Sequence, residues 1–101
     1  MKYGLKNQTI EAIWEVFRMH PQIGVAVLYG SRAKGNYRPN SDIDITLKGE
    51  NLDLTELFKI ENELDDLLLP YKIDLSVYQK IENKDLLDHI DRVGVVFYNK
   101  K

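Results

Sequence analysis

Residues 25–48 read Val25-Ala26-Val27-Leu28-Tyr29-Gly30-Ser31-Arg32-Ala33-Lys34-Gly35-Asn36-Tyr37-Arg38-Pro39-Asn40-Ser41-Asp42-Ile43-Asp44-Ile45-Thr46-Leu47-Lys48. The apolar run that ends in a Gly-Ser turn predicts a buried strand over Val25–Tyr29. Glycine at such a turn lets the backbone come close to a ligand. The serine after it opens a helical turn at most, Ser31–Gly35, and the free N–H groups of a helix start suit an anion. Asn36–Ser41 reads as loop, with Pro39-Asn40-Ser41 as turn residues. A second strand is predicted over Ile43–Lys48. Along it Ile43, Ile45 and Leu47 point one way, and Asp42, Asp44 and Thr46 the other. Carboxylates two residues apart on a strand have Cα atoms ~6–7 Å apart. They repel each other unless a cation lies between them.

Outward from this stretch, Ile10, Ile13, Trp14 and Phe17 recur at helical spacing, with Thr9 or Asn7 as a cap and Pro21 as a stop. Trp14 and Phe17 are therefore expected in the core. Asp53-Leu54-Thr55-Glu56 reads as a capping box. Behind it Leu57, Ile60, Leu64, Leu67 and Leu68 form a helical stripe, broken by Pro70. Glu61, Glu63, Asp65 and Asp66 fall mostly on the opposite face and read as a solvated acidic surface. A third strand is predicted over Lys72–Tyr78, with Ile73, Leu75 and Val77 on one face and Asp74 on the polar one. Lys72 shares that face, where it could neutralise acid or touch a phosphate. A short helix over Lys84–Asp91, ended by Gly94, precedes a last strand over Val95–Tyr98. His20 and His89 lie near helix C-termini, where free carbonyls satisfy a histidine, so neither is assigned a catalytic role.

The chain has 101 residues, 44% of them hydrophobic and 30% charged, so one globular domain over residues 1–101 is expected. It contains no cysteine, which excludes disulfides, thiol catalysis and thiolate metal sites. No apolar run is long enough for a membrane span, and the first residues lack a signal-peptide core. A cytoplasmic location is expected. The net charge of −2 gives no general reason to bind nucleic acid, and no direct nucleic-acid binding is expected. The basic residues Arg32, Lys34 and Arg38 are nevertheless gathered in one loop. Next to Gly30-Ser31 and the acidic pair, they predict contacts to a polyphosphate.

Asp42, Asp44 and Asp74 thus stand on the polar faces of two strands. If those strands are sheet neighbours, ~5 Å apart, all three carboxylates can reach one point. Such a set suits two Mg²⁺ ions, which take oxygen ligands and complete their shells with water and substrate phosphate. Gly30 and Ser31 would hold the phosphates through backbone N–H groups and a hydroxyl.

Gly30-Ser31, ten intervening residues, Asp42-x-Asp44 and the later strand residue Asp74 together resemble the signature of the DNA polymerase β-like nucleotidyltransferase superfamily. Gly30-Ser31-Arg32-Ala33-Lys34-Gly35 followed by Ser41-Asp42-Ile43-Asp44-Ile45 is similar to its minimal nucleotidyltransferase (MNT) branch. The likeness runs through Val93-Gly94-Val95-Val96-Phe97-Tyr98. It implies an α/β (α+β) fold with a mixed β-sheet flanked by helices. It also implies catalytic and metal-binding roles for Asp42, Asp44 and Asp74, two Mg²⁺ ions, and ATP or another NTP as donor. MNT proteins commonly form hetero-oligomers with an all-helical HEPN-domain toxin, serving as antitoxins, and some transfer AMP to a toxin tyrosine. The strands and loops around the proposed site use most of the chain, which also argues for a partner that supplies the acceptor surface. Transfer to a small-molecule alcohol such as an aminoglycoside, or a non-catalytic antitoxin that acts by contact alone, are the alternative expectations.

Overall fold

Alternation along the central strands decides which side of the sheet becomes the core. The computed structural model describes residues 1–100. They form α1 (Asn7–Arg18), β1 (Ile23–Tyr29), α2 (Gly30–Lys34), β2 (Ile43–Gly49), α3 (Leu54–Asp65), β3 (Ile73–Val77), a 3₁₀ turn (Tyr78–Lys80), α4 (Lys84–Val93) and β4 (Val95–Asn99). The strands make one four-stranded mixed sheet in the order β3-β2-β1-β4. The central strand β1 runs antiparallel to both β2 and β4. β2 and β3 are parallel, and α3 supplies the crossover that a parallel pair requires.

On one face, Ala26 and Leu28 of β1 join Ile43, Ile45 and Leu47 of β2. Ile10, Ile13 and Phe17 of α1 and Leu57, Ile60 and Leu64 of α3 cover them. Phe17 is fully buried, as expected. Trp14 is partly buried at the rim, where its Nε1 donates to the Phe97 carbonyl at 2.8 Å. On the opposite face a smaller cluster of Val27, Tyr29 and Ile90 packs β1 against α4. The fold class and the mixed sheet agree with the sequence reading. No helix among the described residues is long and apolar enough to cross a membrane.

Several boundaries differ from expectation for local reasons. α1 starts before Thr9, and its cap Lys6 offers no side-chain acceptor; the Lys6 carbonyl takes the Thr9 and Ile10 N–H groups instead. Asp53 caps α3 as expected, accepting from Glu56 N–H at 2.8 Å. α3 ends at Asp65, so Leu68 falls outside the stripe and is 88% exposed at φ 55°. β3 stops at Val77 because Tyr78 begins the 3₁₀ turn. His20 is not simply a helix terminus residue. It is buried, and its Nδ1 and Nε2 lie 2.5 Å from Glu56 and 2.9 Å from Glu63 of α3. Glu63 is thus part of a clasp between α3 and the turn that follows α1, and not only solvated surface. Burial by itself would lower the His20 pKa, but the hydrogen bonds and charges of Glu63 and Glu56 prevail and raise it.

Candidate active site

The sheet register brings the aspartates together. In the β1–β2 ladder Tyr29 pairs with Asp44, and in the β2–β3 ladder Asp44 pairs with Asp74. Paired residues share a face, so Asp44 and Asp74 stand side by side on the face that carries Tyr29 and α4. Asp42 lies just outside the ladder, one residue before the first pair, Ile43 with Ile73. Asp42 and Asp74 are exposed, whereas Asp44 is half-buried. Burial pushes the Asp44 carboxyl pKa up, and the nearby charges of Asp74 and Asp42 push it further; His89 and Arg32 oppose them. Among the described residues no group of three His, Cys, Asp or Glu side chains is arranged to hold a metal ion unaided. The donor set is nonetheless all carboxylate oxygen, the type that hard divalent cations prefer.

Gly30 carries the chain from β1 into α2 with φ 74°. A Cβ there would sit 2.4 Å from Asp44 Oδ2, so glycine leaves room for this carboxylate against the turn. α2 then runs one turn to Gly35, whose φ of 88° ends it. Ser31 is half-buried at the start of this turn, and its hydroxyl has no hydrogen-bond partner among the described residues. Lys34 is exposed on the same turn. Lys72 is exposed as well and is in no described ion pair with Asp42 or Asp74.

Two residues sit differently from the sequence reading. Arg32, expected at a phosphate, is buried and gives its N–H groups to backbone carbonyls of Tyr3, Pro39 and Ser41. Its place in a loop beside Lys34 gave no sign of this. His89, set aside as a helix-end residue, reaches the site from α4. Its Nε2 accepts from the Gly30 N–H at 3.2 Å, and its ring meets Tyr29 edge-on at 6.1 Å. The Gly30 amide expected at a phosphate is therefore occupied by His89. The one sequence clue was the placement of His89 one residue before the inward-facing Ile90.

Beside the aspartates, Thr46 is fully buried and accepts from the Ser76 hydroxyl at 2.9 Å. Burial raises the Tyr29 pKa and the charges of Asp74 and Asp44 add to it, while the nearby Ser76 side chain opposes them. Chemically, the arrangement offers clustered oxygen anions next to a turn with a free hydroxyl and a lysine, open on the exposed side.

Residues 11–101 match the family model described as polymerase beta, nucleotidyltransferase. No curated protein matches the chain. Among solved structures, a chain from a toxin–antitoxin complex with AMP-PNP superposes with a TM-score of 0.72 at 23% identity, covering 89% of this chain and 73% of that one. A chain from the complex of a tri-AMPylated Shewanella oneidensis HEPN toxin with its MNT antitoxin gives a TM-score of 0.70 at 18% identity, covering 94% and 73%. A putative nucleotidyltransferase from Sulfolobus solfataricus gives 0.55 at 23% identity, covering 90% and 77%.

Proposed function

This chain belongs to the polymerase beta nucleotidyltransferase family, and on that premise we propose that it transfers AMP from ATP to a hydroxyl, that of a tyrosine on a HEPN-type partner protein, with pyrophosphate as the leaving group and the hydroxyl proton passing to solvent, and so acts as an antitoxin. The observation that carries the reading is the paired register of Asp44 and Asp74 beside the Gly30 turn. The likeness in fold to a chain solved with AMP-PNP, and to an MNT antitoxin solved with a tri-AMPylated HEPN toxin, supports ATP as donor and a protein as acceptor. An intracellular donor of this kind accords with a cytoplasmic location.

Asp42, Asp44 and Asp74 would hold Mg²⁺, two ions in the fully assembled site. When bound, the metal stabilises charge on the transferring phosphoryl group and lowers the pKa of the attacking hydroxyl. The three side chains do not enclose a cation unaided, so phosphate oxygens and water must complete its shell. Metal and nucleotide therefore bind as a unit. The unpaired hydroxyl of Ser31 and the exposed ammonium of Lys34 are free to take the phosphates. The excess negative charge that raises the Asp44 pKa opposes ATP until a cation neutralises it.

The test is incubation of the chain with labelled ATP, Mg²⁺ and a HEPN-type partner. Label should appear on a partner tyrosine, and EDTA or Asp44→Asn should abolish it. In thermal melts ATP with Mg²⁺ should stabilise more than either alone, by ~2.7 kcal/mol at a hundredfold excess over Kd. Equal stabilisation by ATP in Mg²⁺ and in EDTA would count against the metal role. Label on an aminoglycoside but on no protein would move the acceptor to the small-molecule class.

A further inference from the structure

Arg32 is 1% exposed and heads the fully buried side chains in size among the described residues. A guanidinium can stay in such a place only if its N–H groups find acceptors. Nη1 donates to the Tyr3 carbonyl at 2.9 Å. Nε and Nη2 both donate to the Ser41 carbonyl, at 3.2 and 2.8 Å, and Nη2 also reaches the Pro39 carbonyl at 3.3 Å. The Tyr37 and Tyr71 rings lie 5.3 and 4.9 Å from Cζ, within range of a cation–π contact. None of the described ion pairs includes Arg32. Every partner is thus neutral, and the bonds fix geometry without cancelling charge.

The location of those partners gives the arrangement its meaning. Arg32 directly follows Ser31 on α2, and Ser41 directly precedes Asp42. Asp42 is exposed and lies before the first residue of the β2–β3 ladder, so sheet pairing does not hold it. Two anchors flank it: the Ile43 N–H donates to the Lys72 carbonyl at 2.9 Å on one side, and Arg32 grips the Ser41 carbonyl on the other. Resting on the nucleotidyl-transfer reading above, we propose that Arg32 is a positioning residue that sets Asp42 at a fixed distance from the Ser31 turn, so that metal and phosphates are held in register. Lysine cannot replace it. A single ammonium cannot span the three carbonyls, nor stack between two rings as a planar fork does.

The experiment uses the full chain with Arg32→Lys and Arg32→Ala. Mn²⁺ binding in the presence of a non-hydrolysable ATP analogue is followed by EPR, beside thermal melts and a kcat-against-KM measurement. Arg32→Lys should stay folded yet bind Mn²⁺ about 10–100-fold more weakly, the usual effect of losing a group that orients a metal ligand. Free guanidinium, at concentrations too low to denature, should restore Mn²⁺ affinity to Arg32→Ala but not to Arg32→Lys, whose slot is filled. A folded variant that binds Mn²⁺ like wild type overturns the inference and leaves the functional reading standing. Loss of folding in both variants, or guanidinium that restores the melting temperature without Mn²⁺ affinity, overturns it in favour of a purely structural arginine. A wild-type chain that binds no Mn²⁺ with nucleotide overturns both.

Discussion

Gly30→Ala should damage this protein twice, and the two effects can be separated. The backbone there has φ 74°, which costs a residue with a Cβ about 1–2 kcal/mol. The new Cβ would also lie 2.4 Å from Asp44 Oδ2, where ordinary carbon–oxygen contacts are about 3.3 Å or more. The carboxylate must withdraw by roughly 1 Å, and leaving its rotamer adds about 0.5–1.5 kcal/mol. The sum, about 1.5–3.5 kcal/mol, corresponds to a fall of about 6–28 °C in Tm for a domain of this size. Gly35→Ala is the control. Its φ is 88°, but nothing lies within 4 Å of the added Cβ, so it carries only the backbone cost of about 1–2 kcal/mol. A shift of about 1 Å in a reacting group can cost about 100-fold in rate, so transfer should collapse in Gly30→Ala and survive in Gly35→Ala. Thermal melts and transfer of labelled AMP read both effects. Adding Asp44→Ala to Gly30→Ala should recover the extra stability but not the activity. Equal losses of Tm and of transfer in the two single variants would refute the reasoning.

Asp44→Asn should abolish transfer while raising Tm at neutral pH. Burial and the charges of Asp74 and Asp42 raise the Asp44 pKa, so the ionised group opposes folding, and the gain should vanish as acid protonates Asp44 in the wild type. A lower Tm for the variant at pH 7 would contradict this. His20 has the opposite sign. Its pKa is raised from 6.5, so its contribution is complete below pH 6.5 and is lost as pH rises through the folded-state pKa. His20→Asn should flatten the Tm–pH profile in that window; an unchanged slope would remove the clasp from the account. His89→Ala removes the acceptor of the Gly30 N–H, a cost of about 0.5–1.5 kcal/mol, and frees that amide for a phosphate, so it should lower Tm and tighten Mg²⁺–ATP binding in titration calorimetry. Unchanged affinity and Tm would make the His89–Gly30 bond incidental.

The strands were legible because their pattern has a period of two: Ile43, Ile45 and Leu47 are all buried, with Asp44 between them. The same alternation placed Asp44 and Asp74 on one kind of face. It did not say that they were neighbours, which depends on the parallel β2–β3 register. Arg32 was misplaced because loop cations are usually solvated, while what buries it comes from Tyr3, Tyr37 and Tyr71. Tyr37 is only five residues on from Arg32, but Tyr3 and Tyr71 are distant in sequence, and the three meet only in the fold. His89 was missed for a related reason. Helical spacing marks Ile90 as inward but does not show that the preceding side chain meets Gly30. The Leu67–Leu68 end of the stripe outran the helix because apolar spacing carries no stop signal as sharp as Pro70, which lies beyond the true end at Asp65.

The pairing of β1 with β4 has a consequence for how the protein is made. β1 is flanked by β2 on one side and by the last strand on the other, with Val27 opposite Val96 and Ala26 opposite Tyr98. A nascent chain that has emerged only as far as α4 can build β3-β2-β1, but one row of β1 amides and carbonyls stays open. Phe97, which supports Trp14 and Phe17, is then still missing from the core. Closing so distant a contact is slow, and until it closes the half-built sheet is a template for other strands. A nascent chain therefore stays a sticky intermediate until residues 95–99 have emerged. Fragments ending before Val95 should be protease-sensitive and aggregate, and residues 95–99 added in trans should pair with β1 and suppress that aggregation.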